Sequence, residues 1–595
     1  MITNIIEVDY DPKTRRLKMT APFHLNDAIR GFPSKRFIPK GKFWQVPVTK
    51  ANLSHFDGML RQYQIKMSPE ADDAITEFSH ASAAPVPQPF PDHLYDFTKS
   101  KSGFLPMDHQ RKMLDLAWGL MAAAWFAKMG TGKTFAAVHL ACARYLLGQI
   151  DAVMIICPST LRRTWFKELA KYATVDYNFQ IHETKGSWQK AFDADKTRDQ
   201  KRLPVLAVSV EGLGVSESLY DSACGFMPGR RVMVICDESS RIKNPDAKRT
   251  ARACLLGSAA VYRVILNGTP IALGIQDLWS QYEFLDPNII GTGDYWAFRT
   301  RYIVMGGYEN KQIVGVQNVE ELMNLIIPYT CEVGKDVLNL PPKVLVERPI
   351  ELTAEQRKLI KIAVKGTSGD PNEPIIKVTN TLEKMLRCRQ IVGGWLPRSS
   401  MVLHDIDGIP SEVWTTVLEP LEKNPKMDGM FELIGDNYAG TKFIIWSTFV
   451  SEIEAIRDRL AEKWGAASVE CYYGKTEMDD RSRIEDRYCN DPTLRFFVGN
   501  PVAAGLGLTL ISGENDVMVY YSGTNAYIER AQSEDRSHRI GQNFSVTVVD
   551  LVAESSVDEI IMASIKEKMG VEEYVMTKIA QGISIDDMLL GTGAR

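Results

Sequence analysis

The sequence predicts an α/β fold in which two domains, each built on a parallel β-sheet, follow a small α+β domain. Between residues 101 and 330, four apolar runs alternate with helical stretches: DAVMIICPS, LPVLAVSV, RVMVICDE and RVILNGTP. A second alternation of the same kind begins near residue 426 with TKFIIWSTFV. Apolar runs separated by helices are typical of parallel sheets that are covered by helices on both faces.

Length and composition are those of a soluble globular protein with three or four domains: 595 residues, 45% apolar and 24% charged. The net charge of −4 excludes a polycation, so any contact with nucleic acid must come from local basic patches. Nine cysteines occur without C-x-x-C pairs, which favours buried thiols in a reducing cytoplasm over a metal site. No signal peptide is evident, and no apolar run approaches the ~20 residues of a membrane span, so no membrane contact is expected.

Residues 1–75 are predicted to form the small α+β domain. IIEVDYD, RRLKMTAP and KFWQVPVT are predicted as strands, and HLNDAIRGF and ANLSHFDGMLRQYQI as helices. Between Pro12 and Trp44 there are nine lysines and arginines, and Asp27 is the only acidic residue. This basic surface with interleaved aromatic rings predicts nucleic-acid binding by Arg16, Lys35, Arg36, Lys42 and Trp44. A solvated face over an aromatic core is the alternative.

Residues 76–100 are rich in alanine, serine and proline and predict a linker.

AKMGTGKT, residues 127–134, predicts a phosphate-binding loop. A helix is expected before it, over LPMDHQRKMLDLAWGLMAAAW, and another after it, so the loop opens a helix N-terminus that favours anions. Gly130, Thr131 and Gly132 would curl around phosphate, Lys133 would reach the β- and γ-phosphates, and Thr134 would offer its hydroxyl to Mg²⁺. Ala127 replaces the first glycine of the usual pattern, and an ordinary glycine-rich helix entry is the alternative.

Polar residues follow two further strands of this domain. Asp237 and Glu238 end VMVICDE, where one carboxylate can hold Mg²⁺ and its neighbour can orient the attacking water. Asn267, Gly268 and Thr269 end the next strand, and polar groups there could sense the γ-phosphate. Taken alone, this motif is better explained as a plain strand-to-helix turn. These groups are expected at the carboxyl edge of the sheet, where ligands bind in open α/β folds.

The second α/β domain has no phosphate loop in its sequence, so its chemical residues are expected to serve a neighbour. In AQSEDRSHRIGQ, Gln532, Arg536 and Arg539 are predicted at helical spacings that place the two arginines on one face. Arginines presented to a γ-phosphate stabilise its transition-state charge. A surface salt-bridge pair is the alternative.

Taken together, the motifs resemble those of superfamily-two helicases, and specifically of Swi/Snf-type double-stranded-DNA translocases. The motifs are DHQ, AKMGTGKT, CPSTLRRTWFKEL, DESSRIKN, LNGTPIALGIQDLWSQYEFLDP, LPPK, AGLGLTL and QSEDRSHRIGQ, over roughly residues 100–565. LNDAIRGFPSKRFIPKGKFWQVPV resembles the HepA-related domain of annealing helicases, which are a fork-remodelling subgroup.

The resemblance implies two tandem RecA-like motor domains, residues 101–330 and 426–595, separated by a family-specific helical or linker region, residues 331–425. It implies ATP and Mg²⁺ as cofactors, with Asp237 holding the metal, Glu238 acting as catalytic base, and Gly268 and Thr269 coupling hydrolysis to movement. Nucleotide binding is implied for Gln110, which would recognise adenine, and for Gly507 and Gln532, while Arg536 and Arg539 would be arginine fingers. DNA contacts are implied for Ser159, Thr160, Arg163, Thr448, Gly505 and Thr509.

Two positions depart from the family. Ser240 stands where the acidic motif usually has histidine, and Thr524, Asn525 and Ala526 replace an aromatic W-N-P segment. The first departure concerns the coupling of hydrolysis to movement. The second concerns a local contact with DNA or between domains.

The sequence therefore predicts an ATP-dependent translocase on double-stranded or branched DNA. It would act as a monomer in a bacterial or phage-infected cytoplasm, in branch migration, annealing or fork regression during replication, recombination or repair. Single-stranded-DNA-binding or replication proteins are candidate partners. Two alternatives stay open: a strand-separating DNA or RNA helicase, and a non-hydrolysing nucleic-acid clamp. A strand-separating helicase should have a wedge hairpin, which the sequence does not indicate.

Overall fold

The computed structural model divides the chain into two compact units, Met1–Val337 and Leu338–Arg595. It describes residues 5–11, 16–32, 35–39, 41–48, 50–81, 88–182, 189–193, 202–271, 274–307, 312–338, 340–366, 374–406, 409–437, 441–504, 508–513, 516–539 and 542–591. The predicted fold class is confirmed: two parallel-sheet α/β regions follow a small α+β region. Within the described residues, every helix is too short or too polar to cross a membrane.

The N-terminal region is a five-stranded mixed sheet in the order β3-β4-β2-β1-β5. Its elements are β1 (Ile5–Asp11), β2 (Arg16–Thr20), α1 (Asn26–Arg30), β3 (Arg36–Ile38), β4 (Phe43–Pro47), α2 (Lys50–Leu60), β5 (Gln64–Met67) and α3 (Pro69–Ala81). Ile6, Leu17, Phe32 and Phe56 are among its buried core residues. The predicted second helix was too long, because QIKM alternates polar and apolar residues and pairs in parallel with β1.

The first unit also contains a seven-stranded parallel sheet in the order β14-β6-β11-β10-β7-β9-β8. Its strands are β6 (Ala122–Ala127), β7 (Ala152–Cys157), β8 (Tyr177–Ile181), β9 (Leu203–Ser209), β10 (Val232–Asp237), β11 (Tyr262–Asn267) and β14 (Thr330–Val333), and a separate hairpin joins β12 (Ile303–Gly306) to β13 (Gln312–Val316). The helices include α4 (Asp108–Trp118), α5 (Lys133–Leu146), α6 (Arg162–Tyr172), α7 (Val210–Val215), α8 (Glu217–Phe226), α9 (Lys248–Ser258), α10 (Gln276–Leu285), α11 (Pro287–Ile290), α12 (Tyr295–Tyr302) and α13 (Val319–Ile326).

The four predicted strands are present as β7, β9, β10 and β11, but the prediction of one helix up to Trp125 was wrong. Helix α4 ends at Trp118, and the fully buried run AAAWFA forms β6. This strand lies between β11 and β14, so its backbone groups are bonded on both sides. Alanine favours helix in isolation, and the pairing overrides that preference.

The predicted linker, residues 76–100, differs in the structure. Helix α3 continues to Ala81, and residues 82–87 lie outside the described part. Further on, Phe90, Tyr95 and Phe97 are buried, and the Tyr95 hydroxyl lies 2.7 Å from Nδ1 of His139 on α5. The aromatic rings bind this segment to the first sheet region because their apolar area is removed from water.

The second unit is built on a six-stranded parallel sheet in the order β15-β22-β21-β18-β20-β19. The strands are β15 (Lys343–Ile350), β18 (Phe443–Trp446), β19 (Val469–Tyr472), β20 (Phe496–Gly499), β21 (Val517–Tyr520) and β22 (Val546–Ala553). The helices are α14 (Ala354–Lys365), α15 (Thr381–Val392), α16 (Pro425–Asn437), α17 (Val450–Trp464), α18 (Met478–Asn490), α19 (Pro501–Ala504), α20 (Tyr527–Glu534), α21 (Val557–Lys566), α22 (Val571–Ala580) and α23 (Ile585–Leu589).

The region predicted as a helical or linker segment, residues 331–425, also contains strands. β14 joins the first sheet and β15 joins the second. A long antiparallel hairpin, β16 (Trp395–Ile406) and β17 (Ile409–Pro420), pairs continuously over 12 residues in each strand. At the usual rise of a strand it is about 40 Å long.

Candidate nucleotide and nucleic-acid sites

The predicted phosphate loop joins the end of β6 to the start of α5. Gly130 and Gly132 both have φ of +81°, a conformation that glycine adopts without strain, so the loop can curl. The Thr131 hydroxyl donates to the Lys128 carbonyl at 2.7 Å and closes the turn. Gly132 is the N-cap of α5, and because glycine has no side chain, none caps the first turn of that helix. This geometry is suited to an anion.

Two side chains of α4 hold the loop from the other side. The Thr131 carbonyl lies 2.8 Å from Nε2 of His109 and accepts from Nε2 of Gln110 at 3.1 Å. The Oε1 atom of Gln110 accepts from the Met107 amide at 3.0 Å. Gln110, the predicted adenine reader, is thus bonded to the loop itself. His109 was missed, although its place beside Gln110 in DHQ could have indicated it.

Lys133 and the acidic pair meet at this edge of the sheet. The Lys133 ammonium donates to the Ala127 carbonyl at 2.6 Å. Burial, followed by the neighbouring Glu238 charge, raises the pKa of Asp237 to about 7, and Lys133 opposes that shift. Oδ2 of Asp237 accepts from Nε1 of Trp165 at 3.0 Å. Glu238 has φ of +50°, a strained value for this residue type that turns it away from the strand direction.

The residues fit the Mg²⁺ that the resemblance implies. Two adjacent buried carboxylates carry more negative charge than Lys133 balances, which the raised pKa of Asp237 reflects. Oxygen ligands are those that Mg²⁺ prefers. Asp237 and the Thr134 hydroxyl would hold the ion.

A buried hydrogen-bond network connects the acidic motif to the predicted coupling residues. Ser239 donates to Oε1 of Gln281 at 2.6 Å, and Nδ2 of Asn267 donates to both of these side chains at 3.2 Å. Oδ1 of Asn267 accepts from the Thr269 amide at 2.9 Å. A Cβ atom placed on Gly268 would lie 3.5 Å from the Met129 amide, so this turn also borders the phosphate loop. Sequence analysis pointed to Asn267 as part of this strand end but missed Ser239 and Gln281.

The predicted DNA contacts of the first sheet lie after β7. Ser159 donates through its amide and its hydroxyl to Oε2 of Glu211, at 3.1 Å in each case. The Thr160 hydroxyl is buried, with no hydrogen-bond partner among the described residues. Arg163 is half-buried on α6. Ser159 therefore sits next to a carboxylate, which disfavours an approaching phosphate at that position.

The predicted contacts of the N-terminal region have different surroundings. Arg16 donates to the Gly293 carbonyl at 3.5 Å. Burial raises the pKa of Glu283, and the Arg16 charge opposes that shift, so Arg16 faces the first sheet region. Lys35 donates to the Phe32 carbonyl at 2.9 Å, and Lys42 is exposed. Trp44 donates to Asn26 at 3.0 Å.

The ring of Trp44 lies 5.0 Å from that of Phe37, which is 43% exposed. Arg36 lies on β3, with its side chain outside the described part.

The helical spacing predicted for the arginines of the second unit is wrong, because α20 ends at Glu534. Arg536 and Arg539 lie in the turns that follow. Arg536 is 4% exposed and donates to the carbonyls of Gln532 and Leu508 at 3.1 and 3.2 Å. Arg539 donates to the Thr509 hydroxyl at 2.9 Å. The amides of Arg536 and Ser537 bond to the carbonyls of Ser533 and Glu534, three residues earlier, so the chain continues as turns.

The other predicted contacts of this unit include two glycines, Gly505 and Gly507, that lie outside the described residues. The Thr509 amide donates to Oε1 of Glu485 at 2.8 Å. The Thr448 hydroxyl donates to the Gly523 carbonyl at 3.0 Å and accepts from Arg389. Thr524, in place of the family's aromatic residue, is 2% exposed.

Residues 113–393 match the model of the SNF2-related domain, a span that includes the phosphate loop, the acidic pair and the Gly268–Thr269 turn. The match agrees with the resemblance that the sequence motifs indicate. It ends before the second alternation of strands and helices.

Curated relatives include Protein CHROMATIN REMODELING 4 of Arabidopsis thaliana, 24% identical over 78% of this chain and 20% of that protein. TATA-binding protein-associated factor 172 of Homo sapiens is 23% identical over 71% of this chain and 24% of its own length. The chain therefore spans about a quarter or less of the length of these relatives. The SWI2/SNF2 ATPase core of Sulfolobus solfataricus in complex with dsDNA is 21% identical, covers 83% of this chain and 98% of its own, and gives a TM-score of 0.35.

Proposed function

We propose that this chain is an ATP-dependent translocase on double-stranded or branched DNA, and that its first unit binds and hydrolyses Mg²⁺-ATP. One observation carries the proposal. A curled glycine loop, a buried acidic pair and the Gly268–Thr269 turn adjoin at one sheet edge, within the segment that matches the SNF2-related domain.

Each group has a distinct part in the proposed hydrolysis. The loop amides and the N-terminus of α5 bind phosphate oxygens, and Lys133 adds positive charge. Thr134 and Asp237 hold Mg²⁺, which when bound offsets charge on the phosphate oxygens. Glu238 orients the attacking water and accepts its proton.

The buried network gives this site a route for coupling. Ser239 follows Glu238 directly, and its partners Asn267 and Gln281 fix the turn that contains Thr269. A change at the γ-phosphate therefore reaches α10 through hydrogen bonds that have defined partners. We propose that this coupling links hydrolysis to movement along DNA.

The test is steady-state ATPase activity with no nucleic acid, single-stranded DNA, duplex, fork and RNA, with Glu238→Gln as the control. Strong stimulation by duplex or fork that disappears in the control supports the translocase. Stimulation by RNA or single strands alone supports the helicase alternative, and no hydrolysis on any substrate supports the clamp.

We further propose that the N-terminal region directs the motor to forks or junctions, in replication, recombination or repair, in a bacterial or phage-infected cytoplasm. The exposed Lys42 and the Phe37–Trp44 ring pair support a surface for phosphate and bases. Lys35→Glu with Lys42→Glu should weaken fork stimulation more than duplex stimulation. The matched charge reversal, Lys99→Glu with Lys101→Glu, uses exposed lysines outside this surface and should leave the fork preference unchanged.

The hairpin β16–β17 favours strand separation as a second candidate function. The sequence did not predict it, and its length is suited to a wedge between strands. Its base is held where Thr416 accepts from Arg387 at 3.0 Å, so a shortened hairpin can keep that contact. Replacing residues 401–414 with Asn-Gly should abolish unwinding of a forked duplex and leave DNA-stimulated ATPase intact. If the unaltered protein unwinds nothing, this candidate is wrong.

A further inference from the structure

The loops after β18, β20 and β21 meet at the carboxyl edge of the second sheet. Thr448, in the loop after β18, is hydrogen-bonded to the other two loops. The Thr448 amide donates to the Ser522 hydroxyl at 2.8 Å, and its carbonyl accepts from Nδ2 of Asn500 at 2.9 Å. Its hydroxyl donates to the Gly523 carbonyl at 3.0 Å. The loops after β18, β20 and β21 are thus bonded together, at the edge where open α/β sheets bind ligands.

Arg389 enters this edge from α15, which is not part of the sheet. Its Nη2 atom donates to the Thr448 hydroxyl at 3.1 Å and to the Gly523 carbonyl at 2.6 Å. Its Nη1 atom donates to Oδ1 of Asn525. The guanidinium lies 5.2 Å from the Phe449 ring centre, and the residue is only 7% exposed. One side chain therefore joins two of the three loops.

A second charged side chain holds the same loops from within the sheet region. Glu452 on α17 is fully buried, and its Oε2 atom accepts from the hydroxyls of Ser447 and Ser522. Burial raises the pKa of Glu452, whereas the hydrogen bonds from the two serines and the charges of Lys426 and Arg389 oppose that shift. Arg389 and Glu452 each span the loops after β18 and β21.

The contacts also decide what Thr448 can offer to DNA. A phosphate oxygen needs a hydrogen-bond donor, and the Thr448 hydroxyl proton is directed at Gly523. Contact with DNA at this edge therefore depends on the shape of the loops and not on the Thr448 hydroxyl. That shape depends on a planar group with several donors in fixed directions, which arginine has and lysine lacks.

We propose that Arg389 is a positioning residue that sets the nucleic-acid-contacting edge of the second unit by fixing the Thr448 and Gly523–Asn525 loops. The inference rests on the proposed function. The Asn525 contact explains how this chain orders the segment that lacks the family's aromatic residue. α15 thereby links the hairpin-bearing region, whose β16 follows it directly, to that edge.

The test compares Arg389→Gln and Arg389→Lys with Arg387→Gln. Arg387 lies on the same helix and bonds Glu383 and Thr416 instead of the sheet edge, so it controls for loss of an arginine from α15. The readouts are the duplex concentration for half-maximal ATPase stimulation, KM for ATP, basal ATPase, and hydrogen exchange of residues 446–449 and 522–526.

Arg389→Gln should raise the half-stimulating duplex concentration at least tenfold, with KM for ATP and basal ATPase within twofold. Exchange should rise in both loops, Arg389→Lys should recover part of the loss, and Arg387→Gln should match the unaltered protein. Asn525→Ala should raise the duplex requirement on its own and add little to Arg389→Gln, because both changes remove one shared contact.

Suppose that duplex stimulates the unaltered protein, and that Arg389→Gln changes neither the half-stimulating duplex concentration nor the hydrogen exchange of the two loops. This result would overturn the inference about Arg389 and leave the proposed function intact. If Arg389→Gln does not fold, the test uses Arg389→Lys and Asn525→Ala. A normal half-stimulating duplex concentration in both variants would overturn the inference. An unaltered protein that no nucleic acid stimulates removes the proposed function, and with it the nucleic-acid role of this edge.

Discussion

The carboxyl edges of the two large sheets carry different kinds of polar surface. In the first unit, Asp237 and Glu238 lie side by side in a buried place, and α5 begins without a side-chain cap. In the second unit, Thr448 uses its amide, carbonyl and hydroxyl on neighbouring loops. The first edge holds charge that a bound cation would balance, and the second balances its charge internally.

This difference teaches that a parallel sheet alone does not make a ligand site. The first edge accepts strain, seen in φ of +50° at Glu238, and burial of like charges. Such features persist where function needs them. The second edge instead pairs Glu452 with serine hydroxyls and Arg389, as a structural support does. Four predictions test the distinction.

Gly132→Ala should have the largest effect, because it breaks the first edge. The new Cβ would lie 2.1 Å from Nε2 of Gln110, and φ of +81° strains alanine. We expect ATP binding, measured by nucleotide titration, to weaken at least 100-fold, which is about 2.7 kcal/mol. Gly148→Ala is the matched control: its φ is +66°, but open space surrounds its Cβ. Equal losses in both variants would show that strained glycines anywhere in this region weaken binding, and would contradict a specific role of Gly132 in the phosphate loop.

Gln281→Leu should uncouple the first edge from its turn. It removes the acceptor of Ser239 and leaves the Asn267 amide with a missing partner. DNA-stimulated kcat should fall about tenfold while KM for ATP changes little, since these bonds join protein groups that position the acidic motif and the Thr269 turn for the reaction. Leu255→Gln on the exposed face of α9 should leave both constants unchanged. A rise in KM with normal kcat would instead assign the network to binding.

Arg536→Ala and Arg539→Ala should separate structure from catalysis at the second edge. Arg536 is buried and donates to two carbonyls, so its loss should cost about 1–3 kcal/mol of unfolding free energy by chemical denaturation. The half-buried Arg539 should cost less stability. If it is the predicted finger, its variant stays folded and loses hydrolysis. Normal hydrolysis in folded Arg539→Ala would contradict that role.

The smallest effect is a pH dependence of stability that differs in size between two variants. Because the folded pKa of Asp237 is about 7, above the ordinary carboxyl value, the folded state binds the proton more tightly. Stability is therefore present at low pH and lost as pH rises towards and through about 7. Without nucleotide, Asp237→Asn should raise Tm at pH 8 and flatten this fall.

Glu452→Gln is the informative comparison for that experiment. It removes the charge that opposes Arg389 and disturbs the bonds from Ser447 and Ser522. Burial also raises the pKa of Glu452, so the loss of this charge should by itself raise Tm at pH 8, whereas the weakened serine hydrogen bonds should lower it. We therefore expect Tm at pH 8 to rise less in Glu452→Gln than in Asp237→Asn. An equal rise in both variants would show that the two edges are under the same electrostatic stress.

The amino-acid pattern alone determined much of the first edge. Glycines at 130 and 132, Lys133 and the Asp237–Glu238 pair are local signals, because each acts at the point where a strand meets a loop. The four apolar strands β7, β9, β10 and β11 were also readable, since strands buried on both faces need apolar residues throughout. The parallel-sheet fold class followed from them.

Tertiary structure decided the elements whose local signals were ambiguous. The alanine-rich run of β6 is a strand only because β11 and β14 pair with it. Hairpin β16–β17 contains Pro397 and Pro410, which weaken a strand signal, yet both strands are edges and an edge tolerates a missing donor. Such pairings depend on partners that periodicity does not identify.

Tertiary structure also decided which polar residues act together. Asn267 and Gln281 meet Ser239 across three elements, and Arg389 reaches Thr448 and Asn525 from a helix outside their sheet. Nothing in local composition separates Ser239, Gln281 and Arg389 from ordinary surface polar groups. Local sequence determines which backbone shape a segment favours, whereas a hydrogen bond between distant segments exists only once packing has brought them together.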